Sequence, residues 1–397
     1  MFLGFLNMMS GICLRHQHIH AIMFIFFDFI NMRSPMSFNP NTPYNTLPPL
    51  PPLTDVETKA ILKLCVAARA SLAGLKQAGD LIPNQAMLIN IIPLLEAQGS
   101  SEIENIVTTT DKLFRYAYND NVADHATKEA LRYRTALYNG ITAIKQRPLS
   151  AQTALHICQT IKGATLDIRH NKGTILQNNL KQTIYTPPDD PNAIKALLAN
   201  WEQFLHADDD LDPLVKMAIA HYQFEAIHPY FDGNGRTGRI INILYLIDKG
   251  LLDLPILYLS RYIINNKAGY YNGLLGVTKD NDWQTWLEYM LNAIKETSDW
   301  TTAKILAIKQ LHQNTADIIK SKTSKIYSRE LVDVIFEMPY CRINNLVDKG
   351  IAKRQTASNY LSKLVEIDVL KELQAGKEKL FINPKLMALL HSADNVW

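Results

Sequence analysis

Cysteine is scarce in this chain of 397 residues. Cys13, Cys65, Cys158 and Cys341 lie far apart, with no C-x-x-C pair and no dense framework, which argues against a disulfide-stapled secreted domain and for a reduced, cytoplasmic protein. No heptad, glycine period or longer self-similarity runs through the rows, so coiled-coil, collagen and solenoid readings fall away. Charge of one sign is nearly absent, at a net +3, and the small excess sits in residues 320–397, where 13 Lys and Arg face 9 Asp and Glu. That is too weak for a nucleic-acid footprint by itself. Long apolar runs are absent too. Ala21 to Phe27 is seven residues, against about 20 for a membrane span. Asp28 ends the run, Arg15 and three histidines precede it, and no A-x-A site follows, so neither a span nor a secretory signal fits. Translation is expected to begin at Met32 or Met36, leaving residues 1–35 as a non-native or disordered extension.

What is present is 47% hydrophobic residues, enough for a large core over two or three domains. A proline-rich arm, residues 33–53, reads as an extended segment that wraps its own domain, with a PxxP-type ligand as the alternative. Helical periodicity follows over Thr54 to Lys76, capped by Thr54 or Asp55. Pro83 opens a second helix to about Ala97, Gly99 and Ser100 break it, and a third begins near Ser101. Further helices are predicted at about 125–145, 150–167 and 190–206, with a short hairpin over Lys172 to Thr186. Asp212 and Pro213 start a helix that runs into His228, and another covers Ile240 to Ile247, stopped by Gly250.

Between these last two helices lies His228-Pro229-Tyr230-Phe231-Asp232-Gly233-Asn234-Gly235-Arg236-Thr237-Gly238-Arg239. Backbone N–H groups exposed at such a glycine-rich turn and helix N-terminus make an anion site. Arg236 and Arg239, three apart, would point the same way and fork onto neighbouring phosphates. Asp232 is a hard oxygen ligand suited to Mg2+ beside phosphates, and His228 can take a proton near neutral pH. The stretch also satisfies G-x-G-x-x-G, but a helix rather than a strand precedes it, so a dinucleotide fold is set aside.

These residues resemble the H-P-F-x-[DE]-G-N-G-R-x-x-R signature of the Fic family, helical enzymes most of which transfer AMP from ATP to a protein hydroxyl; Tyr230 replaces the usual phenylalanine. The resemblance runs from about Thr54 to Thr301. It implies a mainly α fold: a helical core with a hairpin flap, and ATP and Mg2+ as substrate and cofactor. His228 would be the general base and Asp232 the metal ligand, while Gly233, Asn234 and Gly235 cradle phosphates. Arg236 and Arg239 would meet the β- and γ-phosphates, and Thr237 and Gly238 complete the nucleotide-binding stretch. Tyr270 and Tyr271 match a tyrosine pair near the base in relatives, with core packing as the alternative. Thr174, Ile175, Leu176 and Gln177 belong to the flap that docks the target by strand addition. Ser100-x-x-x-Glu104-Asn105 resembles the [ST]-x-x-x-E-[GN] motif of an inhibitory helix; serine and glutamate at i and i+4 share a helix face, and by analogy Glu104 would pair with Arg239. His221 reads as a packed or surface histidine.

In the tail, three short helical patterns and two strands, Leu370 to Leu373 and Lys379 to Ile382, look like a winged helix with Lys353, Arg354, Gln355, Thr356, Asn359 and Tyr360 opening its recognition helix. Nucleic-acid binding and protein docking are equally open for it. The expected layout is residues 36–130 as a helical region with the inhibitory helix, 131–300 as catalytic core and 318–397 as winged helix. The expected activity is AMP transfer to a Ser, Thr or Tyr hydroxyl of a target protein or of the chain itself, restrained by Glu104, with a homodimer as a further expectation and no membrane partner. Alternatives are an ATP-sensing DNA-binding regulator, AMP removal at the same site, or another nucleotide donor.

Overall fold

Thr58, rather than Thr54 or Asp55, opens the first helix by accepting from Ile61 N–H at 3.3 Å. The computed structural model describes residues 38–82, 84–118, 120–178, 180–375 and 378–396, so the extension expected over 1–35 and Pro83 lie outside them. The helices are α1 (Lys59–Asp80), α2 (Ala86–Ile103), α3 (Thr110–Tyr116), α4 (His125–Ile144) and α5 (Ala151–Lys162). A hairpin of β1 (Leu176–Gln177) and β2 (Thr183–Tyr185) follows, then α6 (Pro191–His206), α7 (Pro213–Ile227), α8 (Asn234–Asp248), α9 (Leu259–Asn265) and α10 (Lys267–Asp280). Helix α11 (Trp283–Lys322) is a single rod of 40 residues that leads to the C-terminal module. That module comprises α12 (Arg329–Glu337), β3 (Tyr340–Cys341), α13 (Ile343–Asp348), α14 (Arg354–Glu366), β4 (Lys371–Ala375), β5 (Glu378–Ile382) and α15 (Pro384–His391).

The fold is mainly helical, as expected. Helix α7 is its centre: it is buried on nearly every side, and the indoles of Trp201 and Trp286 donate to its Ala220 and Ala218 carbonyls at 3.0 and 2.9 Å. Asp212 caps it, with its side chain accepting from Leu214 N–H at 2.8 Å, and Pro213 occupies the first turn. Helix α8 packs beside α7 and is likewise buried, so the loop joining them is anchored at both ends in the core. Helix α5 stops at Lys162, earlier than expected, because Gly163 adopts φ +61° and caps it. The arm lies on its own domain: the Leu50 N–H and C=O pair with the Asn200 side chain at 2.7 and 2.9 Å, and Gln223 donates to the Pro48 carbonyl at 2.9 Å.

The boundaries expected at 130/131 and 300 fall inside α4 and α11, and residues 40–397 form one unit. In the C-terminal module the order is helix, strand, helix, helix, hairpin, helix, which contains the three helices and two strands expected there. Two elements escaped the sequence reading. Strand β3 completes a three-stranded antiparallel sheet in the order β3-β5-β4, and α15 follows the hairpin. No helix among the described residues is long and apolar enough to cross a membrane.

Candidate active site

Helix α7 ends because His228 turns into the left-handed region, φ +49° and ψ +59°, while its N–H still donates to the Phe224 carbonyl at 3.0 Å. Pro229 cannot continue the helix. Asn234 then closes the loop on itself: its Oδ1 accepts from Tyr230 N–H at 2.8 Å and its Nδ2 donates to the Tyr230 carbonyl at 2.7 Å. That side chain is buried and committed to the loop. Tyr230 is buried as the apolar anchor, edge-on to Phe224, whereas Phe231 beside it is 84% exposed. Gly233 sits at φ +90°, and a Cβ there would meet Cys158 Sγ at 3.1 Å, so only glycine suits the turn into α8.

One residue that the sequence reading missed holds this loop from below. Arg169 Nε donates to the His228 carbonyl at 2.7 Å, Nη2 reaches the Ile227 carbonyl at 3.2 Å and also the Pro188 carbonyl, and its backbone N–H binds the Pro229 carbonyl at 2.9 Å. The hairpin base is attached to the same place through Tyr185, whose OH donates to the Ala226 carbonyl at 2.7 Å.

The two arginines do not act as one fork. Arg236 is 0% exposed and donates to Glu129 Oε1 at 2.5 Å, with Asp232 Oδ1 at 3.4 Å. Lys162 Nζ bridges the same acids, 2.9 Å from Glu129 Oε1 and 2.6 Å from Asp232 Oδ2. This alternating set of charges anchors α8 to α4 inside the protein. Arg239 points elsewhere. Its Nε donates to Ser100 Oγ at 2.8 Å, and Nη2 to the Ser100 carbonyl at 2.9 Å and to Glu104 Oε1 at 2.7 Å. Gly235 makes room for that pair, because a Cβ there would lie 2.4 Å from Glu104 Oε1. Thr237 is buried, and a Cβ on Gly238 would strike Glu225 Oε1 at 2.7 Å, so both side-chain positions face protein.

The local structure around Glu104 also differs from expectation. Helix α2 does not break at Gly99; it continues to Ile103, and Glu104 is its C-cap rather than part of a new first turn. Glycine is retained at 99 within the helix because a Cβ there would sit 3.0 Å from Tyr258 and 3.2 Å from Ser260, so the approach of α9 needs the space. The helix closes with Ile106 N–H bonded to the Ser101 carbonyl and Asn105 N–H to the Glu102 carbonyl, both at 3.0 Å. That is a Schellman cap, whose left-handed position is Asn105 at φ +61°. The requirement for glycine or asparagine after the glutamate thus has a backbone cause.

His228 is half-buried, and desolvation of its ring lowers its pKa to about 4, helped by the Arg169 guanidinium and opposed by Glu104. Its Nδ1 is buried. Glu225, one helical turn before it, has a buried, unpartnered Oε1, and burial raises its pKa to about 8. Tyr270 belongs to the core: its OH meets His221 Nε2 at 2.8 Å, and Trp286 and Tyr289 pack round it. Tyr271 is half-exposed near Glu104 and Arg239, whose charges act on its hydroxyl. In the flap, Leu176 pairs with Tyr185 and Gln177 with Thr183; Ile175 and Gln177 are exposed, and Thr174 and Leu176 half-buried.

Among the described residues no group of three or more His, Cys, Asp or Glu is placed to hold a metal. Asp232 is nevertheless 53% exposed and kept ionised by Lys162 and Arg236 despite desolvation. One carboxylate beside an anion-binding turn suits Mg2+, which is commonly held by one or two carboxylates together with substrate phosphates.

Family models match three consecutive segments: the Fic/DOC family N-terminal region over residues 62–142, the Fic/DOC family over 148–246, and the C-terminal domain of SoFic-like protein adenylyltransferases over 311–386. A probable protein adenylyltransferase of Aquifex aeolicus is 28% identical over 170 residues, 41% of this chain and 51% of its own length. The protein adenylyltransferase Fic of Drosophila grimshawi is 26% identical over 123 residues, 30% of this chain and 24% of its own. The match thus spans about half of the first relative and a quarter of the second. In fold, the chain is similar to a Fic family protein from Desulfovibrio desulfuricans G20, with a TM-score of 0.53 and 20% identity over 85% of this chain and 98% of that one. With an N-terminal region, a signature-bearing centre and a C-terminal domain that all match in order, the chain belongs to the Fic/DOC family.

Proposed function

We propose that this chain transfers AMP from ATP to a Ser, Thr or Tyr hydroxyl of a protein, another protein or itself, and that Glu104 restrains it. The observation that carries the reading is the Arg239–Glu104 pair of 2.7 Å, set against Gly235 in the loop that carries His228. A buried cation beside an anion-binding helix start is suited to a terminal phosphate, and a carboxylate from α2 already holds it. The names of the matched relatives support adenylyl transfer as the reaction class.

In the step itself the target oxygen bonds to the α-phosphorus, the bond from that phosphorus to the bridging oxygen breaks, and pyrophosphate leaves. His228 Nε2 accepts the hydroxyl proton. The ring is neutral at pH 7 because burial lowers its pKa to about 4, and the charge of a bound triphosphate would raise it toward a better base. The N–H groups at Gly233 and Gly235 face the phosphates, and Arg239 takes the terminal one once Glu104 moves away. Asp232 would hold Mg2+, which neutralises phosphate charge when bound. Strand pairing to the flap at Ile175 and Gln177 would set the target hydroxyl in line.

The test is incorporation of α-labelled ATP into protein by the wild type, Glu104→Gly, His228→Ala and the double variant. The expected result is more label with Glu104→Gly and none with either His228→Ala form. Absence of label in every form, with ATP still bound, would remove the transferase reading and bring forward AMP removal, another donor or a nucleotide sensor.

A further inference from the structure

Glu104 lies in the turn between α2 and α3, and the C-terminal module grips the chain on both sides of that turn. Before α2, the Asn84 side chain accepts from Ala86 N–H at 3.0 Å, starting the helix, and its Nδ2 donates to Glu337 Oε1 at 3.3 Å. Glu337 is buried at the end of α12 and is held by Lys349 Nζ at 2.7 Å. Helix α12 itself packs on α2. After the turn, Asp111 in α3 accepts from the Tyr340 hydroxyl of β3, and Arg342 Nη2 donates to the Arg115 carbonyl near the end of α3 at 3.2 Å while its guanidinium lies over the Tyr118 ring. Helices α2 and α3 are tied together, since the Gln98 side chain donates to the Thr108 carbonyl at 3.1 Å and accepts from Thr110 Oγ1 at 2.8 Å.

We infer that Glu337, Tyr340 and Arg342 are positioning residues for Glu104: the C-terminal module braces the α2–α3 hairpin from both ends and so keeps the carboxylate on Arg239. This rests on the restraint by Glu104 proposed above. Apart from the packing of α12 on α2, the contacts named here are hydrogen bonds and a cation over a ring, and each of these bonds can be exchanged for water.

The test uses the full chain. Tyr340→Phe and Glu337→Gln, which keep side-chain size, are made alone and together with Glu104→Gly, and label incorporation, ATP affinity and thermal melting are measured for each. Loosening one bond of the brace is expected to raise labelling and tighten ATP binding by roughly 3- to 10-fold, the worth of one hydrogen bond in the restrained state. In the Glu104→Gly background the same substitutions should change neither. Equal change in both backgrounds, or lower labelling with a lower melting temperature, would show a purely structural role and overturn the inference. No change in the otherwise wild-type chain, with Glu104→Gly still activating, overturns it as well. Failure of Glu104→Gly itself to activate overturns the restraint instead, so the two failures are told apart.

Discussion

Replacing Glu104 with glutamine keeps its size and removes its charge, and the consequences differ in sign between the free and the ATP-bound protein. Arg239 is 1% exposed and Glu104 34% exposed, with 2.7 Å between Nη2 and Oε1. A hydrogen bond to a charged group contributes about 1.5–3 kcal/mol, and with one partner a third exposed, screening reduces this to about 1–2 kcal/mol. If ATP's terminal phosphate competes for the same guanidinium, removing the competitor tightens ATP by about 5- to 30-fold, at 1.4 kcal/mol per factor of ten. The nucleotide-free variant moves the other way. Arg239 keeps its bonds to Ser100 Oγ and the Ser100 carbonyl but becomes a buried cation without a counter-charge, so melting temperature falls. Calorimetric titration with a non-hydrolysable ATP analogue, and melting curves with and without it, read both effects. Affinities within about twofold of each other would refute competition at Arg239. So would a variant whose melting temperature without nucleotide matches the wild type.

Asn105 at φ +61° gives a second prediction: valine there costs about 1–2 kcal/mol in the left-handed region, so Asn105→Val should raise labelling, whereas Asn105→Gly should stay restrained. Arg169→Met leaves the Pro188, Ile227 and His228 carbonyls without their donor, at a cost on the order of 2–5 kcal/mol by denaturant melting, and should abolish labelling even with Glu104→Gly. The acid-side pH dependence follows from His228 and His221, whose pKa values burial lowers to about 4 and about 3. The unfolded chain takes up these protons first, so stability falls as pH drops below about 6.5. On the alkaline side Glu225 and Glu96, raised by burial to about 8 and about 7, keep their protons in the folded state. Their contribution is whole only below the unfolded carboxylate value of about 4.3 and is lost as pH rises toward 8. Glu225→Gln should flatten that loss in chemical denaturation between about pH 6 and 8.

The loop from His228 to Arg239 was legible because it concentrates a base, an acid and glycines whose chemistry has few other uses in one turn. Its supports were not, for a physical reason. Glu129, Lys162 and Arg169 are single residues on α4, at the end of α5 and in the segment after it, and only packing brings them under the loop. Helix α2 shows the opposite failure. Glycine at 99 reads as a breaker by propensity, yet here it is the smallest residue that lets α9 approach, and tertiary packing overrides the local preference. Likewise the spacing of Arg236 and Arg239 on α8 suggested one shared target, but their partners lie on different helices, and periodicity carries no information about those.

Helix α11 has a consequence of its own. Its 40 residues span about 60 Å and include neither proline nor glycine, so the rod has no built-in hinge. The exposed start of α14, at Lys353, Arg354, Gln355 and Thr356, is thereby held at a set distance and angle from His228. The geometry is that of a caliper: if α14 grips a partner, the rod sets the reach from that grip to His228, and partners would be sorted by their dimensions as well as by their sequence.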